Sequence, residues 1–177
     1  MSKGLPRSMS RGDAQRQEII KQTIPLRDFA VTVSATGAAI GFGSAPISGL
    51  PEGNVLFLGA VASNIVVSGS GADANLSDTF NGDFSIGTTP ADDATITGAD
   101  VDIIPSTALP AATAEVGVAT RASHSAAVTG TVYNNTAADL ELNFNVLVDA
   151  ADIVDDESVD LTVNGVVTVA YIMLGDD

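Results

Sequence analysis

The chain contains no cysteine, which excludes disulfide bonds and thiolate metal sites. It also has no tryptophan, and aromatic residues make up 5% of the sequence, so we expect a core of Val, Ile, Leu and Ala. Charged residues amount to 16%, well below the roughly one quarter typical of soluble proteins. With 45% hydrophobic residues, this low charge density indicates that other subunits cover part of the surface.

Basic residues are scarce, and six of the seven lie within the first 27 positions. Residues 1–27 carry +4 (six bases minus two acids), and residues 28–177 carry −19 (one base minus 20 acids), which together give the net charge of −15. Because residues 28–177 are so acidic, they repel phosphates, which argues against nucleic acid as their partner. The charge split singles out the N-terminal segment as a separate functional element.

Long apolar runs are absent as well. The first 25 residues are polar and show no apolar stretch of the signal-peptide type, so we expect no secretory leader there. The longest apolar run, Val166–Leu174, contains Thr168 and is far shorter than the roughly 18 residues of a membrane span. The sequence therefore predicts no membrane partner.

Period-2 alternation of apolar and polar residues recurs from residue 26 onward, as in half-buried β-strands. In LRDFAVTVS, Phe29, Val31 and Val33 share one face. Eight to ten short strands with Gly-rich turns predict an all-β fold, an antiparallel β-sandwich or jelly roll. We expect a domain at residues 26–177, preceded by an extended or disordered basic arm at residues 1–25.

Two C-terminal segments show the strongest strand patterns. In LELNFNVLVD the residues Leu142, Phe144 and Val146 lie on one face, and the asparagines between them point away from it. In LTVNGVVTVAYIML, Asn164-Gly165 predicts a two-residue hairpin turn. The stretch Val166–Leu174 is apolar on both faces, which predicts a strand that is central in its sheet or covered at an interface.

No arrangement of side chains indicates catalysis. His124 is the single histidine, and nothing marks the serines on either side of it as activated nucleophiles. Two acidic loops, GADANLSDTFNGD and DAADIVDDESVD, are rich in the oxygen ligands that calcium prefers. The EF-hand pattern fails, because the sixth residue from Asp73 is Asp78 rather than glycine. We favour solvated turns over a calcium site, and predict no catalytic residue, metal or cofactor.

Three segments resemble virion structural proteins of tailed bacteriophages, most of all the small capsid decoration (cement) proteins. The segments are PEGNVLFLGAVASNIVVS, GDFSIGTTPADDATITGADVDIIPS and LTVNGVVTVAYIMLGDD, and the resemblance covers roughly residues 50–177. It implies a non-enzymatic protein of the capsid surface that binds across major capsid protein subunits. Its alternatives are a carbohydrate- or host-surface-binding module of a phage tail or fibre, and a hydrolase on a jelly-roll scaffold.

An assembly protein of this kind needs a rigid body and an adhesive element that reaches a neighbour. We expect the major capsid protein as its partner, together with a homo-oligomer for which a trimer is favoured. The arm is expected to dock through basic residues and to anchor through two isoleucines. These predicted partner-binding residues are Arg7, Arg11, Arg16, Ile19, Ile20 and Lys21.

Overall fold

A computed structural model of the chain describes residues 19–36, 40–69, 74–112, 120–126, 131–136 and 139–175, with the backbone alone for residues 120–126. These described residues form nine strands and one short 3-10 turn (Gly98–Asp100), which confirms the predicted all-β fold. Within the described residues no helix is long and apolar enough to cross a membrane. The strands are β1 (Ile20–Ser34), β2 (Gly41–Gly49), β3 (Gly53–Gly69), β4 (Gly82–Gly87), β5 (Ile104–Leu109), β6 (Thr120–Ala126), β7 (Val132–Asn135), β8 (Glu141–Val148) and β9 (Ser158–Gly175).

The strands form one antiparallel sheet in the order β5-β4-β8-β2-β1-β9-β3-β6. β7 also pairs with β3, on the edge that carries β6. Two halves of this sheet meet between β1 and β2, which pair at one position, Ser34 with Phe42. At the other end β5 lies beside β6, so the sheet curls back on itself. This curled arrangement encloses one hydrophobic core, consistent with the predicted sandwich or jelly roll.

Two prolines and one closely packed glycine lie in the two strands that meet at this junction. Pro25 in β1 and Pro46 in β2 have no N–H to donate, and proline is tolerated mainly at strand edges and bulges. Gly43 lies directly on the β1 backbone, because a Cβ there would be 2.1 Å from the Thr32 carbonyl oxygen. The lack of a side chain at Gly43 therefore allows β2 to approach β1 this closely.

Core packing follows the alternation seen in the sequence. Val31 and Val33 are buried while Thr32 between them is exposed. The few aromatic rings pack together: Phe84 stacks on Phe144 with centroids 5.5 Å apart. At the other end of the core Phe57 contacts Tyr133 edge-on at 5.3 Å and lies tilted against Tyr171 at 5.9 Å. Apart from these rings, the core is largely aliphatic.

The predicted hairpin at Asn164-Gly165 is wrong. β9 runs unbroken from Ser158 to Gly175, because both of its halves pair with β1 on one side and β3 on the other. Gly165, with φ of 152°, lies at an irregularity that all three strands share. The pairing shifts between Leu26 and Phe29 in β1 and between Ser63 and Val66 in β3. The Asn-Gly pair therefore supplies a bulge rather than a turn.

The strand β1 begins at Ile20, so the boundary predicted between residues 25 and 26 falls inside a strand. Residues 20–25 pair with 166–171 of β9. They join the sheet because Ile24 and Leu26 continue the buried face of β1 past the predicted boundary. Residues 1–18, the rest of the predicted arm, lie outside the described residues.

Candidate assembly interface

One half of the outer sheet surface is covered by the loop at residues 88–103. The Asn145 side chain is fully buried beneath it, and its Oδ1 accepts a hydrogen bond from the Ala91 N–H at 2.9 Å. Its Nδ2 donates to the carbonyl oxygens of Thr89 at 3.2 Å and Asp100 at 2.9 Å. The sequence placed Asn143 and Asn145 away from the core, but both are buried, and the loop contacts of Asn145 account for its burial.

The other half of the outer surface lacks such a cover among the described residues. Cross-strand neighbours there include Leu56 opposite Ile172, and Val61 opposite Thr168. Phe57 follows Leu56 and Val169 follows Thr168, and both are fully buried. Because successive side chains of a strand point to opposite faces, Leu56 and Thr168 point outward. Val61 is 40% exposed and Val132, opposite Leu56, is 49% exposed.

We define the bare face as the outward-facing side chains of four segments in adjacent strands. The segments are Lys21–Pro25 of β1, Leu56–Ser63 of β3, Val132 of β7 and Val166–Leu174 of β9. None of the chain's 22 acidic residues falls in these segments, and their one charged residue is Lys21. An exposed apolar sheet surface free of acids is thus built into a protein of net charge −15. Contiguous apolar surface of this kind marks interaction sites.

The predicted arm residues divide into two groups. Arg7, Arg11 and Arg16 lie outside the described residues. Ile19 is 65% exposed and Ile20 is 37% exposed, at the start of β1. The exposed Lys21 pairs with Ala170 of β9 and so belongs to the bare face. The arm therefore joins the sheet at the margin of the bare face.

The two acidic loops pack against each other. The Ser77 N–H donates to the Asp152 carbonyl oxygen at 2.8 Å, and the Val154 N–H donates to the Asn75 carbonyl oxygen at 2.9 Å. The Asp152 carboxylate accepts a hydrogen bond from the Asn81 N–H at 3.0 Å. No cluster of three or more potential metal ligands occurs in the part of the chain that the structure describes. These hydrogen bonds hold the two acidic loops against each other.

Asp102, in the loop after the 3-10 turn, is a partly buried carboxylate. Burial raises its pKa, although its oxygens accept hydrogen bonds from the Thr88 N–H at 2.9 Å and the Thr88 hydroxyl at 2.7 Å. The Tyr133 hydroxyl donates to the Asp102 carbonyl oxygen at 3.4 Å. Burial, reinforced by the Asp102 charge, also raises the pKa of Tyr133. These contacts hold the loop after the 3-10 turn against β7.

The sequence indicated the part of the bare face that β9 forms, but not the parts formed by β3 and β7. The apolar second face of Val166–Leu174 predicted a central or covered strand, and β9 is central. The contribution of β3 and β7 to the same surface was missed, because their pairing with β9 and with each other depends on long-range contacts. The signal in the sequence was the absence of any charge from Gly53–Gly69.

Comparisons with known proteins leave the family open. No family model matches the chain, and no curated protein matches it in sequence. One similar solved structure is a chain from "Structure of infectious bursal disease virus Gt strain", with a TM-score of 0.39 and 10% sequence identity. The match covers 86% of this chain and 32% of that chain, so this protein spans less than a third of its length. None of these findings concerns a tailed bacteriophage, and that resemblance stays a prediction.

Proposed function

We propose that the chain is a non-enzymatic virion structural protein that decorates and stabilises a bacteriophage capsid by binding across major capsid protein subunits. The observation that carries the assembly role is the bare face, an apolar, acid-free surface on an otherwise acidic protein. The attribution to a phage capsid rests on the sequence resemblance of residues 50–177. Burial of such a surface against another subunit stabilises an assembly through the hydrophobic effect.

The basic arm supplies the second contact. Residues 1–27 carry +4 and join the sheet at Ile20, at the margin of the bare face. Each arm contributes contacts of modest affinity, and repetition of these contacts over a lattice adds avidity. Its charge complements acidic loops of the capsid protein or the acidic body of a neighbouring copy.

The capsid role is tested with shells assembled from the major capsid protein that is encoded in the same genome as this chain. Full-length protein is added in excess, the shells are sedimented, and bound protein is quantified together with the temperature at which the shells disrupt. We expect saturable binding at a fixed ratio to capsid subunits and a higher disruption temperature. Absence of the chain from the sedimented shells at saturating concentration contradicts the proposal.

The role of the arm is tested separately in the full chain. Replacing Arg7, Arg11 and Arg16 with serine removes three positive charges without altering any described strand. We expect weaker shell binding, and a smaller loss of binding on raising the salt concentration than in the unchanged protein. Equal occupancy and equal salt dependence of both proteins would show that the arm charges do not dock.

The alternative, a carbohydrate- or host-surface-binding module, gains no support from the aromatic residues. Sugar-binding surfaces commonly use exposed aromatic rings, whose apolar faces pack against the sugar. All six Phe and two Tyr residues of the chain are described, and none is exposed. The hydrolase alternative would need a carboxylate with a raised pKa, and Asp102 is such an acid among the described residues. Its carboxylate accepts two hydrogen bonds from Thr88, which hold a loop in place.

A further inference from the structure

We propose that the bare face binds the bare face of a second copy of this chain, so that two copies pack sheet against sheet about a two-fold axis. This inference rests on the proposed assembly function and names the partner of one of its surfaces. Identical surfaces that meet in this way form an isologous, closed dimer, which differs from the trimer favoured from the sequence. The arm then remains available for a different protein.

Electrostatics favours a second copy at this surface. A chain of net charge −15 repels another copy wherever acidic residues meet. The bare face contains no acid, so two copies approach here without opposed carboxylates. Thr168 is central to it, since Thr168 pairs with Thr23 of β1 on one side and with Val61 of β3 on the other.

The face is small for a specific interface. Its four segments hold 23 residues, which at a rise of about 3.3 Å per residue and a strand spacing of about 4.8 Å cover roughly 360 Å² in projection. Specific interfaces bury about 600–1,000 Å² of accessible surface per partner. A face below that range predicts a weak dimer that dissociates on dilution.

The chain's own N-terminal residues are a poorer occupant. Residues 1–18 carry +2 (four bases, Lys3, Arg7, Arg11 and Arg16, minus two acids, Asp13 and Glu18). Laying this segment over an apolar surface takes charges out of water without acidic partners, because the face contains none. The surface of a second copy carries a single charge, Lys21, at the margin of the face, where its long side chain can keep the ammonium group in water.

The test introduces charge at the centre of the face in the full-length protein. We expect the unchanged protein to form a dimer whose mass, measured by sedimentation equilibrium, falls to that of a monomer on dilution. Thr168→Glu should raise the dimer dissociation constant at least about 100-fold, because two carboxylates would meet across the axis. Val61→Glu is the second variant, and Ser106→Glu, at an exposed position of β5, is the control that should dimerise normally.

Mixing experiments then identify the partner. Thr168→Lys should also be monomeric alone, while an equimolar mixture with Thr168→Glu should regain the dimer mass, since opposite charges then meet at the axis. Thermal unfolding of each variant checks that it is folded. A monomeric unchanged protein, a trimer, a dimeric Thr168→Glu or Val61→Glu variant that is folded, or a mixture that stays monomeric overturns the inference.

Shell binding separates this inference from the proposed function. An unchanged protein that is monomeric yet saturates capsid shells overturns the self-association and leaves the capsid role intact. A dimer that does not bind shells leaves the self-association intact and overturns the capsid role.

Discussion

Asp28 and Asn164, 136 residues apart in the chain, hydrogen-bond to each other across the shared bulge of β1 and β9. The Asp28 N–H donates to Asn164 Oδ1 at 3.0 Å, and Asn164 Nδ2 donates to Asp28 Oδ1 at 3.3 Å. Asp28 has a positive φ of 47°, a conformation that Asp and Asn adopt more readily than other side-chain-bearing residues. The pair fixes the irregularity at which the bare face ends.

Replacing Asn164 with alanine removes both hydrogen bonds, which are exposed, and should lower the free energy of unfolding by about 1–2 kcal/mol at most. Urea denaturation measures the change. Ser106→Ala, at an exposed position of β5, is the control and should have little effect. Equal stability of the two variants would mean that the Asp28–Asn164 pair contributes nothing to the fold.

Replacing Gly43 with alanine should be more damaging. Its Cβ would lie 2.1 Å from the Thr32 carbonyl oxygen, so β2 must move away from β1. We expect a loss of about 1–3 kcal/mol or more, as for other overpacked sites. Gly49→Ala in the same strand is the matched control, because a Cβ there meets nothing within 4 Å. Similar denaturation midpoints for both variants would contradict close packing at the junction.

The buried Asp102 predicts a pH-dependent difference in stability. Because its pKa in the folded state is raised above the ordinary 3.8, protonation favours folding, and this contribution is lost as the pH rises through the folded pKa. Asp102→Asn keeps the geometry, since an amide accepts from the Thr88 N–H and donates to the Thr88 hydroxyl. The variant should therefore gain stability relative to the unchanged protein as the pH rises from about 4 to 7.

Denaturation of both proteins at several pH values measures this difference. Asp92→Asn, an exposed acid nearby in the chain, controls for the loss of one negative charge. A difference between Asp102→Asn and the unchanged protein that stays constant with pH would show that burial does not perturb this carboxylate.

Adjacent residues of β9 should respond oppositely to the same change. Val169 is fully buried, and Asp in its place leaves an unpaired charge in the core, which costs several kcal/mol and should unfold the protein. Ala170 points to the bare face, so Ala170→Asp should stay folded. Circular dichroism with thermal unfolding distinguishes the two. A folded Val169→Asp variant would contradict the assignment of faces along β9.

Truncation should respect the observed start of β1 rather than the predicted end of the arm. A chain starting at Ile19 keeps every described strand and should unfold at nearly the same temperature as the full chain. A chain starting at Leu26 loses the residues that pair with 166–171 of β9 and should be clearly less stable. If both truncated chains unfold at the same temperature, residues 20–25 do not contribute to the sheet.

The sequence by itself determined the all-β class and most strand faces. In β1 and β8 the alternation that buries Val31, Val33, Phe144 and Val146 is local, because successive side chains of a strand point to opposite sides. It also located the charge asymmetry of the N-terminal segment, which is a property of composition alone.

Tertiary structure decided what the local pattern leaves open. Asn145 is buried because a loop 40 to 60 residues earlier in the chain covers it, and Asn164-Gly165 forms a bulge because β1 and β3 pair with both halves of β9. The bare face exists because strands distant in sequence place their outward residues side by side. Strand pairing between distant segments depends on the whole chain's packing, whereas the alternation within one strand depends on its backbone geometry alone.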